Sequence, residues 1–305
     1  AEAYNVLKAA QILYEEGIAH PMLLGEKKFI KEQMEKFGIH LDVPIVDPMD
    51  DDQDENRKKY RETLWRLRNR KGVNEYIAKR LVRQRDYFGP LMLKHGDTDA
   101  LIVGYSKNYR TVLRPVLEII EKAKGVDKIA SMMMILSDKK PYFFADTSIH
   151  VNPTPEEMAK ITKMAEYAIK SFAIQPRIAM LSYENFSANS ETSKKVAKAV
   201  EILHQKYPNM IVDGEIQPDF AMDADQLRDY PFSKLGDTPA NTFIFPNLES
   251  ANLSYKIIRG MKVAQVVGPI LMGLSQPVHV LQMRASVEEF VNLASIAVLD
   301  AQVRE

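Results

Sequence analysis

Apolar side chains recur along this chain at two spacings, and the spacings alternate. Val6, Ala9, Ala10 and Leu13 repeat at helical intervals, and Gly17 stands where that helix can end. The run His20-Pro21-Met22-Leu23-Leu24-Gly25 predicts a short buried strand closed by glycine, followed by a helix over 30–37 and a strand over 43–46. The acidic stretch 47–55 has no periodicity and reads as a solvated loop, with a metal site as the lesser alternative. A charged helical segment over 57–84 carries the only tryptophan, Trp65, which is expected to pack on a sheet. A strand over 100–103 ends at Gly104, a helix covers 109–124, and strands 129–136 and 142–145 predict a hairpin around Asp138-Lys139-Lys140. Thr154 is placed to cap a helix over 156–172. The remaining pattern predicts strand 178–181, helix 192–206, strands 210–212 and 242–245, helix 248–258 and a last helix over 286–302.

Helices and strands in alternation are the pattern of a mostly parallel sheet covered on both faces, so the fold class is α/β. At 305 residues the chain exceeds a typical single domain, and two lobes are expected. Its 41 basic and 41 acidic side chains cancel, and a nucleic-acid partner, which would call for a basic excess, is not expected. The absence of cysteine excludes a disulfide scaffold, thiolate metal ligation and a cysteine nucleophile, and fits a reducing compartment. No apolar run reaches membrane-spanning length, and no membrane partner is expected. The first helix, with Glu2, Glu15 and Glu16, is unlike a signal peptide, so the expected location is cytoplasmic. The chain does not begin with methionine, and the expectation is a C-terminal fragment of a longer protein or a tag-cleaved chain.

Three stretches carry the polar residues of a site, mostly where strands end and α/β crevices form. In the first, 180–190, a strand empties into Ser182-Tyr183-Glu184-Asn185-Phe186-Ser187-Ala188-Asn189 ahead of a helix, where backbone N–H groups could meet an anion or carbonyl. It has no glycine, which a phosphate cradle ordinarily needs, so a plain capping loop weighs equally. In the second, Asp213-Gly214-Glu215-Ile216-Gln217-Pro218-Asp219, three carboxylates follow a strand; acid–base or metal chemistry competes with a solvated turn. In the third, 268–279, two glycines and two prolines fix an irregular path that ends at His279, more often a structural histidine than a catalyst. The histidines show no metal spacing, and Met132-Met133-Met134 reads as strand interior. There is no GxGxxG, Walker loop or nucleophile elbow.

The same stretches resemble the phosphate acetyl/butyryl transferase family, from about Val6 to Ala301. The resemblance is carried by Ala9-Ala10-Gln11 with Glu16-Gly17-Ile18-Ala19 and Pro21, Asp97-Thr98-Asp99-Ala100, Leu113-Arg114-Pro115 and Phe144-Ala145-Asp146. It continues through Asn152-Pro153, 176–182, Asp213-Gly214-Glu215, Phe245-Pro246-Asn247-Leu248, Asn252 with Tyr255-Lys256, and Gly268-Pro269-Ile270 through Pro277. It implies a three-layer α/β/α fold like that of phosphotransacetylases and isocitrate/isopropylmalate dehydrogenases, with mostly parallel sheets and a crevice between two lobes. The expected lobes are 1–130 with 285–305, and 131–284, the second carrying a homodimer contact that a higher oligomer would extend.

The chain departs from the active family members where their chemistry sits. Their serine–arginine pair and following aspartate fall at Gln282, Met283 and Glu289 by register, and a second arginine falls at Gly260 beside Arg259. Methionine supplies no cation to a phosphoryl group. The family's glycine-rich serine/threonine loop is replaced by 184–189. In that loop, in Tyr230-Pro231-Phe232-Ser233, in Pro277-Val278-His279 and in Ala297-Val298-Leu299-Asp300-Ala301, the chain is similar to the family's domain at the C-terminus of bacterial NADP-dependent malic enzymes. The resemblance implies a regulatory and oligomerising domain without acetyl transfer of its own, binding acetyl-CoA as effector. The ligand-binding set it suggests is Arg114, Ser182, Tyr183, Asn185, Asn252, Gly268, Pro269, His279 and Arg284. No metal or cofactor is expected in this chain; NADP and a divalent metal would serve catalytic domains upstream in the same polypeptide, which oxidatively decarboxylate malate to pyruvate. The alternative is an active phosphate acetyl/butyryltransferase using Glu289 as base and Arg284 as a displaced phosphate clamp. A dehydrogenase of the isopropylmalate type would need an aspartate cluster and a nicotinamide site, and neither is found in the sequence.

Overall fold

The computed structural model of the protein describes residues 1–137 and 140–304, so the tip of the expected turn, at Asp138 and Lys139, lies outside the described residues. In chain order the elements are α1 (Tyr4–Glu15), β1 (Leu23–Leu24), α2 (Lys27–Phe37), β2 (Ile45–Val46), α3 (Asp54–Arg68), α4 (Glu75–Leu81), α5 (Arg85–Lys94), β3 (Leu101–Gly104) and α6 (Tyr109–Ile119). They continue with β4 (Ala130–Leu136), β5 (Pro141–Ala145), α7 (Pro155–Lys170), β6 (Ile178–Leu181), α8 (Glu191–Lys206), β7 (Val212–Ile216), α9 (Pro218–Met222) and α10 (Ala224–Leu227). The last are β8 (Thr242–Ile244), α11 (Leu248–Met261), β9 (Gln265–Met272), β10 (Val278–Leu281) and α12 (Val287–Arg304). The chain divides into two units, residues 1–125 with 274–305, and residues 126–273. The second boundary falls eleven residues before the expected 285 because β10 pairs with β3 and so belongs to the first unit.

In the first unit β1 pairs with β2, and β3 with β10, both in parallel. Helices α5, α6 and α12 pack on the β3–β10 pair, and α1 packs on α12. The acidic stretch 47–55 is not all loop: residues Asp51–Gln53 form one 3-10 turn and Asp54 opens α3. Its carboxylates lie at a helix start, where the backbone dipole favours them. Helix α3 packs on α4, α5 and α6, and the side chains it buries are Arg57, Tyr60 and Leu64; Trp65 is only half-buried.

The second unit is built on a six-stranded sheet in the order β7-β6-β8-β5-β4-β9. Strands β7, β6, β8 and β5 pair in parallel, and β4 runs antiparallel to both β5 and β9. Strands β6 and β8 are buried at every residue, as expected where both faces are covered. Alternation along β6 sorts its side chains between two helix layers. Met180 faces α7, whose Thr162 hydroxyl donates to its sulfur, while Ala179 and Leu181 join the cluster with Ala221 of α9 and Ala251 of α11. Helix α7 starts with a full capping box: Thr154 accepts from the Glu157 N–H, and the Glu157 carboxylate accepts from the Thr154 N–H.

Two further sequence expectations change. The segment 268–279 is not an irregular path; β9 spans its first part and β10 its end. Strand β7 runs to Ile216, so Asp213-Gly214-Glu215 is buried strand and not a solvated turn.

Candidate functional site

The candidate site of the second unit lies at the carboxyl ends of β6 and β7. Ser182, the first residue after β6, is buried, and its hydroxyl lies 2.7 Å from that of Ser193 in the first turn of α8. Ser190 caps the same helix by accepting from the Ser193 N–H at 3.1 Å. Between them the loop 183–189 turns back over β7. The Asn185 side-chain oxygen accepts from the Gln217 N–H at 2.8 Å, and the Gln217 side-chain amide donates to the Tyr183 carbonyl at 2.8 Å. The Tyr183 ring is left 67% exposed.

Phe186 and Ala188 take left-handed backbone conformations, with φ of 49° and 47°. Glycine adopts these freely; other residues pay roughly 1–2 kcal/mol each. What offsets the cost is Glu215, whose Oε1 accepts from both the Ser187 N–H and the Ala188 N–H at 2.7 Å, while its backbone carbonyl accepts from the Phe186 N–H at 2.9 Å. Successive N–H groups in such turns form an anion-binding concavity. Here the anion is the protein's own buried carboxylate, so these two donors are already used. Glu184 holds the far side of the loop by accepting from the Asn189 N–H at 2.9 Å and the Ser187 hydroxyl at 3.1 Å. The Asn189 N–H, foremost, keeps the Glu184 carboxyl below the ordinary glutamate range.

Asp213 is committed in the same way. One oxygen accepts from the Gly214 N–H at 2.9 Å and the other from the Lys234 N–H at 2.7 Å, which ties the 230–236 segment to β7. Gly214 is obligatory: at φ 146° a Cβ would stand 2.4 Å from the Met180 carbonyl oxygen. The Asp213–Glu215 pair is therefore structural. Among the described residues no three His, Asp or Glu side chains are placed to share a metal ion.

A second polar centre, missed in the sequence, is Asp146 at the end of β5. Its carboxylate accepts from the Ser131 hydroxyl at 2.5 Å, the Ser131 N–H at 3.1 Å, the Ser148 N–H at 3.1 Å, the His150 N–H at 2.9 Å and the His150 ring at 2.6 Å. Burial pushes this carboxyl up, but the bonds from His150, Ser131 and Ser148 outweigh it and hold it below the ordinary range. Asn252 of α11 reaches the same turn, donating to the Thr147 carbonyl at 3.2 Å. The signal was present: Asp-Thr-Ser directly after an apolar strand is Asx-turn composition. Gly268 and Pro269 lie inside β9, where a Cβ on Gly268 would stand 2.8 Å from the Met133 sulfur and 3.0 Å from the Met132 carbonyl oxygen.

Three expected site residues belong to the first unit. Arg114 of α6 is exposed and bonds Glu118 of its own helix at 3.0 Å; Glu118 also accepts from Arg68 at 3.1 Å and from the Tyr87 hydroxyl at 2.9 Å. His279 is inside β10, only 1% exposed, and burial lowers its pKa to about 4, so it is a neutral core histidine at pH 7. Arg284 is exposed at φ 61° in the turn after β10, its N–H donating to the Tyr105 carbonyl at 3.2 Å. Met283 beside it is 57% exposed. Glu289 is the N3 residue of α12: its carboxylate accepts from the Ser286 N–H at 2.8 Å and its own N–H donates to the Ser286 hydroxyl at 3.1 Å. That is a capping box.

The architecture, α/β with mostly parallel strands, is the phosphotransacetylase fold. EutD phosphotransacetylase from Staphylococcus aureus superposes with a TM-score of 0.89 at 28% identity, over 98% of this chain and 92% of that one. The family model for phosphate acetyl/butaryl transferase matches residues 1–298, and the chain belongs to that family. Its relatives include malic enzymes and phosphate acetyltransferases. The NAD-dependent malic enzyme of Rhizobium meliloti (strain 1021) is 34% identical over 307 residues, 98% of this chain but 39% of that protein. The phosphate acetyltransferase of Clostridium acetobutylicum is 32% identical over 310 residues, 99% of this chain and 92% of its own length. The chain thus spans about two-fifths of the malic enzymes it matches.

Proposed function

We propose that this chain is the ligand-sensing and oligomerising module of a cytoplasmic malic enzyme, that acetyl-CoA is its effector, and that it carries out no acetyl transfer. The reading is supported by what stands at the positions that the family resemblance assigns to catalysis. By the register of the family resemblance, Gln282 and exposed Met283 fall where active members carry a serine and an arginine, and the Glu289 carboxylate closes a capping box. A phosphoryl group would find no guanidinium at position 283, and the two loop donors at 187 and 188 are turned onto Glu215. Loss of one preorganised donor ordinarily costs about a hundredfold or more in rate.

Binding can outlive chemistry, because an acyl-CoA is held largely through groups remote from the reacting carbonyl. Ser182, Tyr183 and Asn185 are proposed to meet the thioester and pantetheine amides, with the exposed Tyr183 ring as a face for the chain. Asn252 holds the turn after β5 through the Thr147 carbonyl, and Gly268 and Pro269 lie within β9 at the far edge of the same sheet. Within the first unit, taken by itself, Arg114 and Arg284 are exposed guanidinium groups of the kind suited to phosphates. Leu253, Ile257 and Met261, exposed on one face of α11 with Val263 beyond it, are the proposed homodimer contact. The catalytic work, malate oxidation and decarboxylation with a nicotinamide cofactor and a divalent metal, is assigned to other domains of the parent polypeptide. Among the described residues no helix is long and apolar enough to cross a membrane.

One observation favours the second reading, a working phosphate acetyltransferase: the Clostridium acetobutylicum enzyme matches over 92% of its own length, so a chain of this extent makes up nearly all of that protein. Calorimetry with acetyl-CoA tests the first reading. Saturable binding that weakens in Asn185→Ala is expected. Absence of binding at hundreds of micromolar ligand, or an unchanged affinity in that variant, would remove the effector assignment.

A further inference from the structure

The basic residues of this chain are not spread evenly. Residues 57–85 hold twelve lysines and arginines against two glutamates, Glu62 and Glu75, although the whole chain balances 41 against 41. Several are matched: Lys59 pairs with Asp97, Arg66 with Glu62, Arg68 with Glu118 and Arg85 with Glu2. Four are not. Lys58 and Arg61 of α3, with Lys79 at the end of α4 and Arg83 just beyond it, line one cavity of about 220 Å³, and none has an ion-pair partner among the described residues.

The frame around these four is rigid. Buried Arg57 donates to the Pro48 carbonyl at 2.7 Å and the Asp50 carbonyl at 2.5 Å and pairs with Asp54 at 2.6 Å, which fixes the first turn of α3. That pairing also neutralises Asp54, the one carboxylate in the cavity wall. Arg57 first, then Lys58 and Arg83 through their charge, hold the Asp54 carboxyl below its ordinary range. Helix α4 packs against α3, and the turn after it is pinned by Val82, which is fully buried. Two facing elements therefore bring four like charges, three of them on exposed side chains, around one open depression, a local field that favours an anion.

We propose that this cavity is a binding site for a diphosphate group, either free or at the end of a nucleoside diphosphate. The volume is below the ~300–1,000 Å³ of pockets that enclose a drug-sized ligand, so it suits a compact anionic group and not a whole cofactor. Diphosphate concentrates its charge in two adjoining tetrahedra that accept hydrogen bonds on all sides, so cations from α3 and from the end of α4 can meet it together. Two of the four are arginines, whose forks bind phosphate oxygens bidentately, and lysines serve as point charges. None of Arg114, His279 or Arg284 lines the cavity, and the inference does not rest on the acyl-CoA reading.

Calorimetric titration of the chain with inorganic pyrophosphate at low ionic strength tests the site. Saturable one-to-one binding is expected, weakened at least about tenfold in the double variant Lys79→Gln, Arg83→Gln, since each contact to an ionised group is among the stronger hydrogen bonds. The double variant Arg70→Gln, Lys71→Gln removes the same charge from an exposed turn outside the cavity and is expected to bind as the parent does. A parallel titration with ADP separates the sources: tighter binding than pyrophosphate assigns a nucleotide, equal or weaker binding assigns the free anion. Three results would overturn the proposal: no saturable binding, equal loss in both double variants, or citrate binding as tightly as pyrophosphate.

Discussion

Replacing Glu215 by glutamine puts the most weight on the site geometry. The change is isosteric, so it leaves no cavity, and the new side chain retains one oxygen able to accept from the Ser187 and Ala188 N–H groups. What it removes is the charge behind two 2.7 Å hydrogen bonds. Bonds to charged groups contribute about 1.5–3 kcal/mol each, and neutral ones roughly half as much. Glu215→Gln should therefore cost about 1.5–3 kcal/mol in total. Glu215→Ala should cost about 4 kcal/mol or more, because both donors are left without an acceptor in a buried place and a void is added. The Phe186 N–H keeps its bond to the backbone carbonyl of residue 215, but the side-chain acceptor of the Ser187 and Ala188 N–H groups is gone, so the loop should loosen, and cleavage by a protease near 186–188 should rise in the alanine variant before global unfolding begins. Urea denaturation of the three proteins, with limited proteolysis beside it, reads both effects. If the two variants are equally stable within about 0.5 kcal/mol, the carboxylate is not what holds the loop, and the account of why its donors are spent fails.

Gly214→Ala should be among the most damaging single changes in the chain, since its Cβ would stand 2.4 Å from a backbone oxygen that cannot move aside; thermal melting should show severe destabilisation or no soluble protein, and a melting temperature near the parent's would refute this. His279 sets a pH dependence. With a folded pKa of about 4 against an ordinary 6.5, the unfolded chain binds the proton more readily. Its contribution is thus fully present above about 6.5 and is lost as pH falls towards 4, on the order of 3 kcal/mol over that window. Urea stability followed between pH 7 and pH 4 should fall less steeply in His279→Gln than in the parent; parallel profiles would show that the histidine is not the group responsible.

Much of the fold was legible because periodicity and burial coincide in it. Strand β6 runs over the four residues that the apolar run 178–181 marked, and α7 carries the cap that Thr154 announced. Strands β9 and β10 were not legible, because Gly268, Pro269, Gly273 and Pro277 in a dozen residues look like punctuation; only the bulged pairing with β4 lets a strand contain a Gly-Pro step. Helix α5 was hidden for a similar reason, with Gly89 and Pro90 inside it. The end of β7 was misjudged because Asp213, Gly214 and Glu215 have the composition of a turn. Their burial depends on partners far along the chain, the Lys234 N–H and the 187–188 N–H groups, which local sequence does not announce. The missing glycine in the 184–189 loop was readable. That Phe186 and Ala188 would take glycine's conformation on the strength of Glu215 was not.

The central proposal is that this member of the phosphotransacetylase fold carries out no acetyl transfer. Thioester absorbance, followed while the purified chain is mixed with acetyl phosphate and CoA, tests it most directly. The account predicts a flat trace, indistinguishable from one without protein. Sustained turnover above about one per second, the low end of ordinary enzymes, that falls in Glu289→Gln would contradict it and restore the chain to the working transferases.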